Sequence, residues 1–202
     1  MAKAAANPKS SKSPARGTWH VDTDPNAVPT ILSTVAAAPG TPARALEFLA
    51  LTGARVPEVL SAQWTEINMD ARTWTIAGQR RMSGSNLVVP LSKQAIKLLG
   101  DLDRTSGSDL VFAFPSSGAQ ISRPSLARVL HQLPVEMRTA SSFRSAFRVW
   151  LSTIATQDQH KATMQFLSPG EFLPKKFFCR PRLDNGYAQT MQTWADFCKP
   201  EA

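Results

Sequence analysis

Residues 45–64 read ALEFLALTGARVPEVLSAQW, and this stretch decides the fold because it predicts two helices joined by a tight turn. Residues 45–51 are apolar except for Glu47, a pattern typical of a helix that is buried on most of its surface. Gly53 follows, and glycine is the residue that most often ends a helix. The first helix is therefore expected to stop at Gly53.

A second helix is predicted directly after this turn. Pro57 suits its first turn, where no helical hydrogen-bond donor is lost, and apolar residues recur at helical spacing at Val56, Val59, Leu60 and Trp64. Arg55 is therefore expected at a helix N-terminus, where free N–H groups and a guanidinium together suit a phosphate. The alternative is a surface arginine that pairs with Glu58.

Residues 141–155, SSFRSAFRVWLSTIA, repeat this arrangement with a second arginine. The pattern predicts a helix that buries Phe143, Phe147, Leu151 and either Trp150 or Ala146. Arg144 falls in the first turn of this helix, where its charge lies close to the helix N-terminus. Two arginines are thus expected at two helix starts.

The remaining periodicity predicts an α+β fold that is mainly helical, with a small three-stranded antiparallel sheet. Further helices are expected at residues 24–38, 92–102, 123–133 and 187–198, and strands at residues 67–69, 74–76 and 87–89. Residues 1–19 lack periodicity and predict a disordered basic tail, so that residues 20–198 form one domain.

The composition favours a polyanionic partner, because the 202 residues carry a formal charge of +8 and a pI near 10.0. Lys3, Lys9, Lys12 and Arg16 supply half of that charge. Scattered cysteines and histidines predict no metal site and no cofactor, and place the chain in a reducing compartment: Cys179, Cys198, His20, His131 and His160. No apolar run is long enough for a membrane span, so a cytoplasmic protein is expected.

The order of these parts resembles the catalytic domain of the tyrosine recombinases, the phage integrases, and especially integrases of P4-like prophages and genomic islands. Four segments carry the resemblance: LALTGARVPEVLSAQWTEINMDARTWTI at residues 49–76, LVVPLSKQAI at 87–96, the FR of SSFR at 143–144, and MQTWADF at 191–197. The resemblance implies the fold of that domain and a role in DNA integration and recombination by a mobile genetic element. Its implied partner is double-stranded DNA, held by phosphate contacts, with a full-length integrase as a second candidate partner.

In this family two arginines clamp the scissile phosphate, a lysine and two histidine or tryptophan positions assist, and a tyrosine forms the covalent link to DNA. The resemblance places the two arginines at Arg55 and Arg144. The other positions depart from the family: the lysine falls on Met82, the first histidine on Ser141, the second near Ser168, and the tyrosine on Phe178. Methionine has no proton to donate, and phenylalanine has no hydroxyl. The resemblance therefore implies an integrase-like protein that is defective in strand cleavage.

Two further hypotheses stay open beside this one. An active recombinase could use Tyr187, the single tyrosine, although a partly buried aromatic at the start of the last helix is the simpler interpretation. The chain could also be a truncated remnant, because the arm-binding and core-binding domains that precede the catalytic domain in such integrases are absent. Arg80 and Arg81 could supply charge near Met82, but arginine is a poor acid.

Overall fold

Seven α-helices and a three-stranded sheet make up the described part of the chain, which comprises residues 24–81, 84–104, 107–134, 137, 139–154 and 185–199 of the computed structural model. The helices are α1 (Val28–Ala37), α2 (Thr41–Thr52), α3 (Val56–Leu60), α4 (Lys93–Gly100), α5 (Arg123–Gln132), α6 (Ser142–Ile154) and α7 (Asn185–Cys198). The strands are β1 (Ile67–Asn68), β2 (Thr73–Ile76) and β3 (Leu87–Pro90), and three 3-10 helices span Pro25–Ala27, Trp64–Glu66 and Gly78–Arg80. The predicted fold class is confirmed.

Helix α2 is the central element of the fold. Each of residues 45–52 is at most 1% exposed, and α2 packs against α1 and every helix from α3 to α7. A helix that is apolar on all sides can exist in a globular protein only when other elements surround it. The apolar run in the sequence thus placed α2 correctly in the core.

Glu47 is the one acidic residue of this buried helix, and it is fully paired. Its carboxylate lies 2.7 Å from Arg44 Nη1 and 2.7 Å from Lys199 Nζ. Arg44 also donates hydrogen bonds to the carbonyls of Ala36 and Ala38 at the end of α1. Since a buried charge is stable only when it is paired, these contacts tie α1 and the end of α7 to α2.

The sheet is antiparallel with strand order β1-β2-β3. Trp74 of β2 lies opposite Ile67 of β1 and Val89 of β3, and Ile76 lies opposite Leu87. Trp74 and Ile76 alternate with half-buried threonines, and the Trp74 ring lies 5.3 Å from the ring of Phe48 in α2. The sheet therefore covers one side of α2.

The second predicted helix is shorter than its apolar pattern indicated, because α3 ends at Leu60 and Trp64 begins a 3-10 helix. The backbone between them pairs with another segment. The Ala62 carbonyl accepts from the Val111 N–H at 2.8 Å, and the Trp64 N–H donates to the Asp109 carbonyl at 2.9 Å. These tertiary bonds replace the helical hydrogen bonds that would have extended α3.

Several predicted features fall outside the described residues, namely the basic tail at residues 1–19 and the positions Met82, Ser168 and Phe178. Among the helices given above, none combines the length and the apolar character that crossing a bilayer requires.

Candidate functional site

The turn between α2 and α3 is fixed by Gly53. This residue has φ +59°, and its N–H donates to the Leu49 carbonyl at 3.0 Å, which closes the end of α2. A Cβ at this position would lie 2.8 Å from Cδ1 of Phe147 in α6. Only glycine satisfies both the left-handed backbone and the close approach of the Phe147 ring. The turn is therefore held against α6.

Arg55 is the N-cap residue of α3, as its place beside Pro57 indicated. Its N–H donates to Glu58 Oε2 at 2.8 Å, and its carbonyl accepts from the N–H groups of Glu58 and Val59. Its side chain is half-buried, whereas Glu58 is only 7% exposed. Because α3 has only five residues, its dipole is small, and any anion binding here depends chiefly on the guanidinium charge.

Arg144 lies in the first turn of α6 and reaches the same turn. Its Nη1 donates to the Gly53 carbonyl at 2.5 Å, two residues before Arg55. Loss of hydration on burial, and then the charge of Arg55, lower the pKa of Arg144 to about 10. The guanidinium thus stays protonated at neutral pH, and the fold brings two cations that repel each other to one place.

Arg81, from the loop between β2 and β3, adds a third guanidinium. Its Nε lies 3.5 Å from Glu58 Oε1, and the two side chains are 6% and 8% exposed. Burial lowers the pKa of Arg81, and the charge of Glu58 opposes this change. The Glu58 carboxylate therefore contacts the backbone of Arg55 with one oxygen and the Arg81 guanidinium with the other.

Arg148 is a fourth cation, which the sequence analysis missed. It is half-buried on α6, one turn after Arg144, and its charge further lowers the pKa of Arg144. The four-residue spacing of two arginines on one helix face was the available signal. We refer to Arg55, Arg81, Arg144 and Arg148 as the arginine cluster.

The arginine cluster has the properties of an anion site. Four guanidinium groups and the Glu58 carboxylate leave a formal charge of +3. Guanidinium groups form short, paired hydrogen bonds with the oxygens of a phosphate. In the part of the chain that the structure describes, no group of His, Cys, Asp and Glu side chains could hold a metal ion.

Tyr187 lies behind the arginine cluster, near the start of α7. It is 1% exposed, so the expected partly buried aromatic is in fact fully buried. Burial raises the pKa of its hydroxyl, although the charges of Arg144 and Arg81 act in the opposite direction. In this conformation the hydroxyl belongs to the protein interior and faces the arginines from the core side.

The other predicted positions contribute little to this cluster. Ser141 is exposed, and its Oγ lies 2.9 Å from Thr139 Oγ1. Arg80 pairs with Glu66 and donates to the Ser61 carbonyl, so that it anchors its loop to the end of α3. Arg80 therefore has a structural role, in contrast to Arg81.

Comparison with known proteins gives one family and one fold. The model described as the phage integrase family matches residues 22–160. No curated protein matches the chain. Similar solved structures are XerA recombinase (TM-score 0.54, 12% identity, 94% of this chain and 62% of that one), XerH site-specific recombinase bound to palindromic difH substrate in a post-cleavage complex (0.52, 14%, 88% and 50%), and a lambda integrase dimer bound to a COC′ core site (0.49, 15%, 76% and 61%).

At these identities the likeness to XerA and XerH concerns the fold. The chain spans between one half and two thirds of the length of each of these solved structures.

Proposed function

The chain belongs to the phage integrase family, and we propose that it binds duplex DNA through a backbone phosphate held by Arg55 and Arg144 without cleaving the strand. One observation carries the proposal: Arg144 donates to the Gly53 carbonyl at 2.5 Å, so that both arginines meet at one turn. A phosphodiester between them would relieve the repulsion that lowers the pKa of Arg144. This gain offsets the burial of two like charges.

The loss of cleavage is proposed from the positions that correspond to the family's catalytic groups. Cleavage needs a nucleophile, a proton donor for the leaving oxygen and a base. Phe178, Met82 and Ser141 stand at those positions, and none of these side chains can supply the chemistry of tyrosine, lysine or histidine. The proposed protein is thus a binding member of an enzyme family.

Tyr187 is the alternative nucleophile, and its proximity to Arg144 and Arg81 is the observation in its favour. Its burial counts against it. An attacking oxygen must come within about 3–3.5 Å of the phosphorus in an aligned approach. A phenol that is 1% exposed would reach a DNA phosphate only after the start of α7 moved away from the core.

The proposed setting follows from the P4-like segments described above. We place the chain with a prophage or another mobile genetic element, in the cytoplasm, where DNA and a full-length integrase would be its partners. Residues 20–198 would form its single domain, with residues 1–19 as a basic tail. A decayed remnant with no present role is the competing proposal, and a failure to bind DNA would favour it.

Fluorescence anisotropy with a labelled duplex of arbitrary sequence, at two salt concentrations, tests the binding. We expect Arg55→Ala and Arg144→Ala each to weaken low-salt binding about tenfold or more, as for loss of a charge-assisted hydrogen bond of about 1.5–3 kcal/mol. Arg128→Ala is the matched control, because Arg128 is an exposed arginine on α5. Equal effects from all three substitutions would reduce the binding to general charge.

A nicked suicide substrate analysed on a denaturing gel tests the absence of cleavage. We expect no covalent adduct from the unaltered chain or from Phe178→Tyr, since each absent acid or base costs about 10² to 10⁴ in rate. The combined change Phe178→Tyr, Met82→Lys and Ser141→His is expected to give trace cleavage. An adduct from the unaltered chain that Tyr187→Phe abolishes would identify Tyr187 as the nucleophile.

A further inference from the structure

Glu58 presents a conflict inside the proposed phosphate site. Its Oε2 accepts the Arg55 N–H at 2.8 Å, so the carboxylate fixes the backbone of a phosphate-binding residue. Its negative charge is also only 7% exposed and poorly screened by water. A carboxylate beside a bound phosphate repels it, and this repulsion grows in a low-dielectric surrounding.

Arg81 is placed to cancel that charge. Its Nε lies 3.5 Å from Glu58 Oε1, and its Nη1 donates to the Ser85 carbonyl at 2.9 Å. The Arg81 backbone is also anchored, because its N–H donates to the Gly78 carbonyl and its own carbonyl accepts from the Gly84 N–H. The side chain is therefore held against Glu58 from a rigid loop.

The loop itself has little room to move. Its Gly78 N–H donates to Asn86 Oδ1 at 2.8 Å, and a Cβ on Gly78 would overlap the Gly84 carbonyl oxygen. Arg80 ties the same loop to Glu66 and to the end of α3. The position of Arg81 is thus set by the fold independently of any DNA.

We propose that Arg81 is a positioning residue of the phosphate site: it neutralises Glu58, so that the carboxylate that fixes Arg55 does not repel the phosphate bound by Arg55 and Arg144. This inference rests on the proposed DNA-binding function. It assigns Arg81 an electrostatic role through Glu58, with no contact between Arg81 and the phosphate. The Arg81 side chain is 6% exposed, which suits a role from behind the site.

A charge-balanced pair of variants tests this role by anisotropy with the same labelled duplex. Arg81→Met leaves Glu58 unneutralised and is expected to weaken low-salt binding on the order of tenfold, as for one added repulsion at short range. Adding Glu58→Gln removes that repulsion, and the amide oxygen of glutamine still accepts the Arg55 N–H. We expect the double variant to bind within about twofold of the unaltered protein, since that is within measurement of equal free energy.

Arg81→Lys keeps the charge and loses the guanidinium geometry, so it is expected to bind like the unaltered protein. It also keeps the test decisive if Arg81→Met fails to fold, which circular dichroism of each variant would show. A double variant as weak as Arg81→Met, or a large loss with Arg81→Lys, would overturn the inference and indicate direct phosphate contact. Normal binding by folded Arg81→Met would overturn it as well.

Failure of the proposed function gives a different result. In that case Arg55→Ala and Arg144→Ala bind as well as the Arg128→Ala control, and no variant at position 81 matters. If both arginines prove necessary while the changes at positions 58 and 81 have no effect, DNA binding stands and only the role of Arg81 falls.

Discussion

Tyr187 offers a direct test at the scale of a single residue, because it is the only tyrosine in the chain. Its burial raises the pKa of the phenol above the ordinary value of about 10. Tyrosinate absorbance of the folded protein should therefore stay low as the pH passes 10, and should appear together with unfolding. Reversible titration near pH 10 without loss of the far-ultraviolet circular dichroism would show an accessible hydroxyl and would strengthen its candidacy as nucleophile.

The same shift has a consequence for stability. In the unfolded chain the phenol loses its proton near pH 10, whereas in the fold the neutral form is retained to higher pH. Raising the pH above about 10 therefore favours the unfolded state, and the contribution of Tyr187 to stability is complete below that pH. Tyr187→Phe should lack this component of the alkaline loss, which urea unfolding at pH 8 and pH 10.5 would measure.

Among the elements, the turn between α2 and α3 connects the core to the proposed site. Gly53→Ala puts an L-residue at φ +59° and moves Phe147, so we expect a loss of about 1–3 kcal/mol in the free energy of unfolding. Weaker DNA binding should accompany it, because the Gly53 carbonyl holds Arg144. Urea unfolding followed by circular dichroism gives the first quantity and anisotropy the second.

Gly100→Ala is the matched control for that substitution. Gly100 is the last residue of α4, is exposed, and has open space where a Cβ would be added. We expect its stability to be unchanged or slightly raised, as for alanine replacing glycine in a helix. If Gly53→Ala were as stable as Gly100→Ala, the close packing of the turn against α6 would be refuted.

The elements also show which features a sequence can predict. The burial of α2, the end of that helix at Gly53 and the start of α6 followed from local patterns, since apolar periodicity and helix-ending glycine act over a few residues. The early end of α3 did not, because pairing with Asp109 and Val111 decides it.

The candidate site divides in the same way. Arg55 and Arg144 were identified from their places at two helix starts, and the tertiary structure then brought them to one turn. The Glu58–Arg81 pair joins α3 to the β2–β3 loop and could not be read from spacing. Arg148 had a local signal, its four-residue distance from Arg144, but its nearness to the cluster depends on how α6 packs.

On the scale of the whole molecule, charge is divided unevenly along the chain. Residues 1–16 hold four basic and no acidic residues, which is half of the formal charge of +8. We expect deletion of residues 1–16 to weaken DNA binding at low salt and to reduce the dependence of log Kd on log salt, because fewer phosphates are neutralised. Anisotropy at several salt concentrations measures both, and an unchanged salt dependence would exclude the tail from the contact.

The central claim is that Arg55 and Arg144 act together on one phosphate, and a double-mutant cycle in DNA binding tests it most directly. Dissociation constants are measured for the unaltered protein, Arg55→Ala, Arg144→Ala and the double variant at one low salt concentration. If both arginines bind the same phosphate, the double variant should lose less than the sum of the single losses, with a coupling of about 0.5–3 kcal/mol. Strictly additive losses would contradict the claim, because they would place the two arginines on independent contacts.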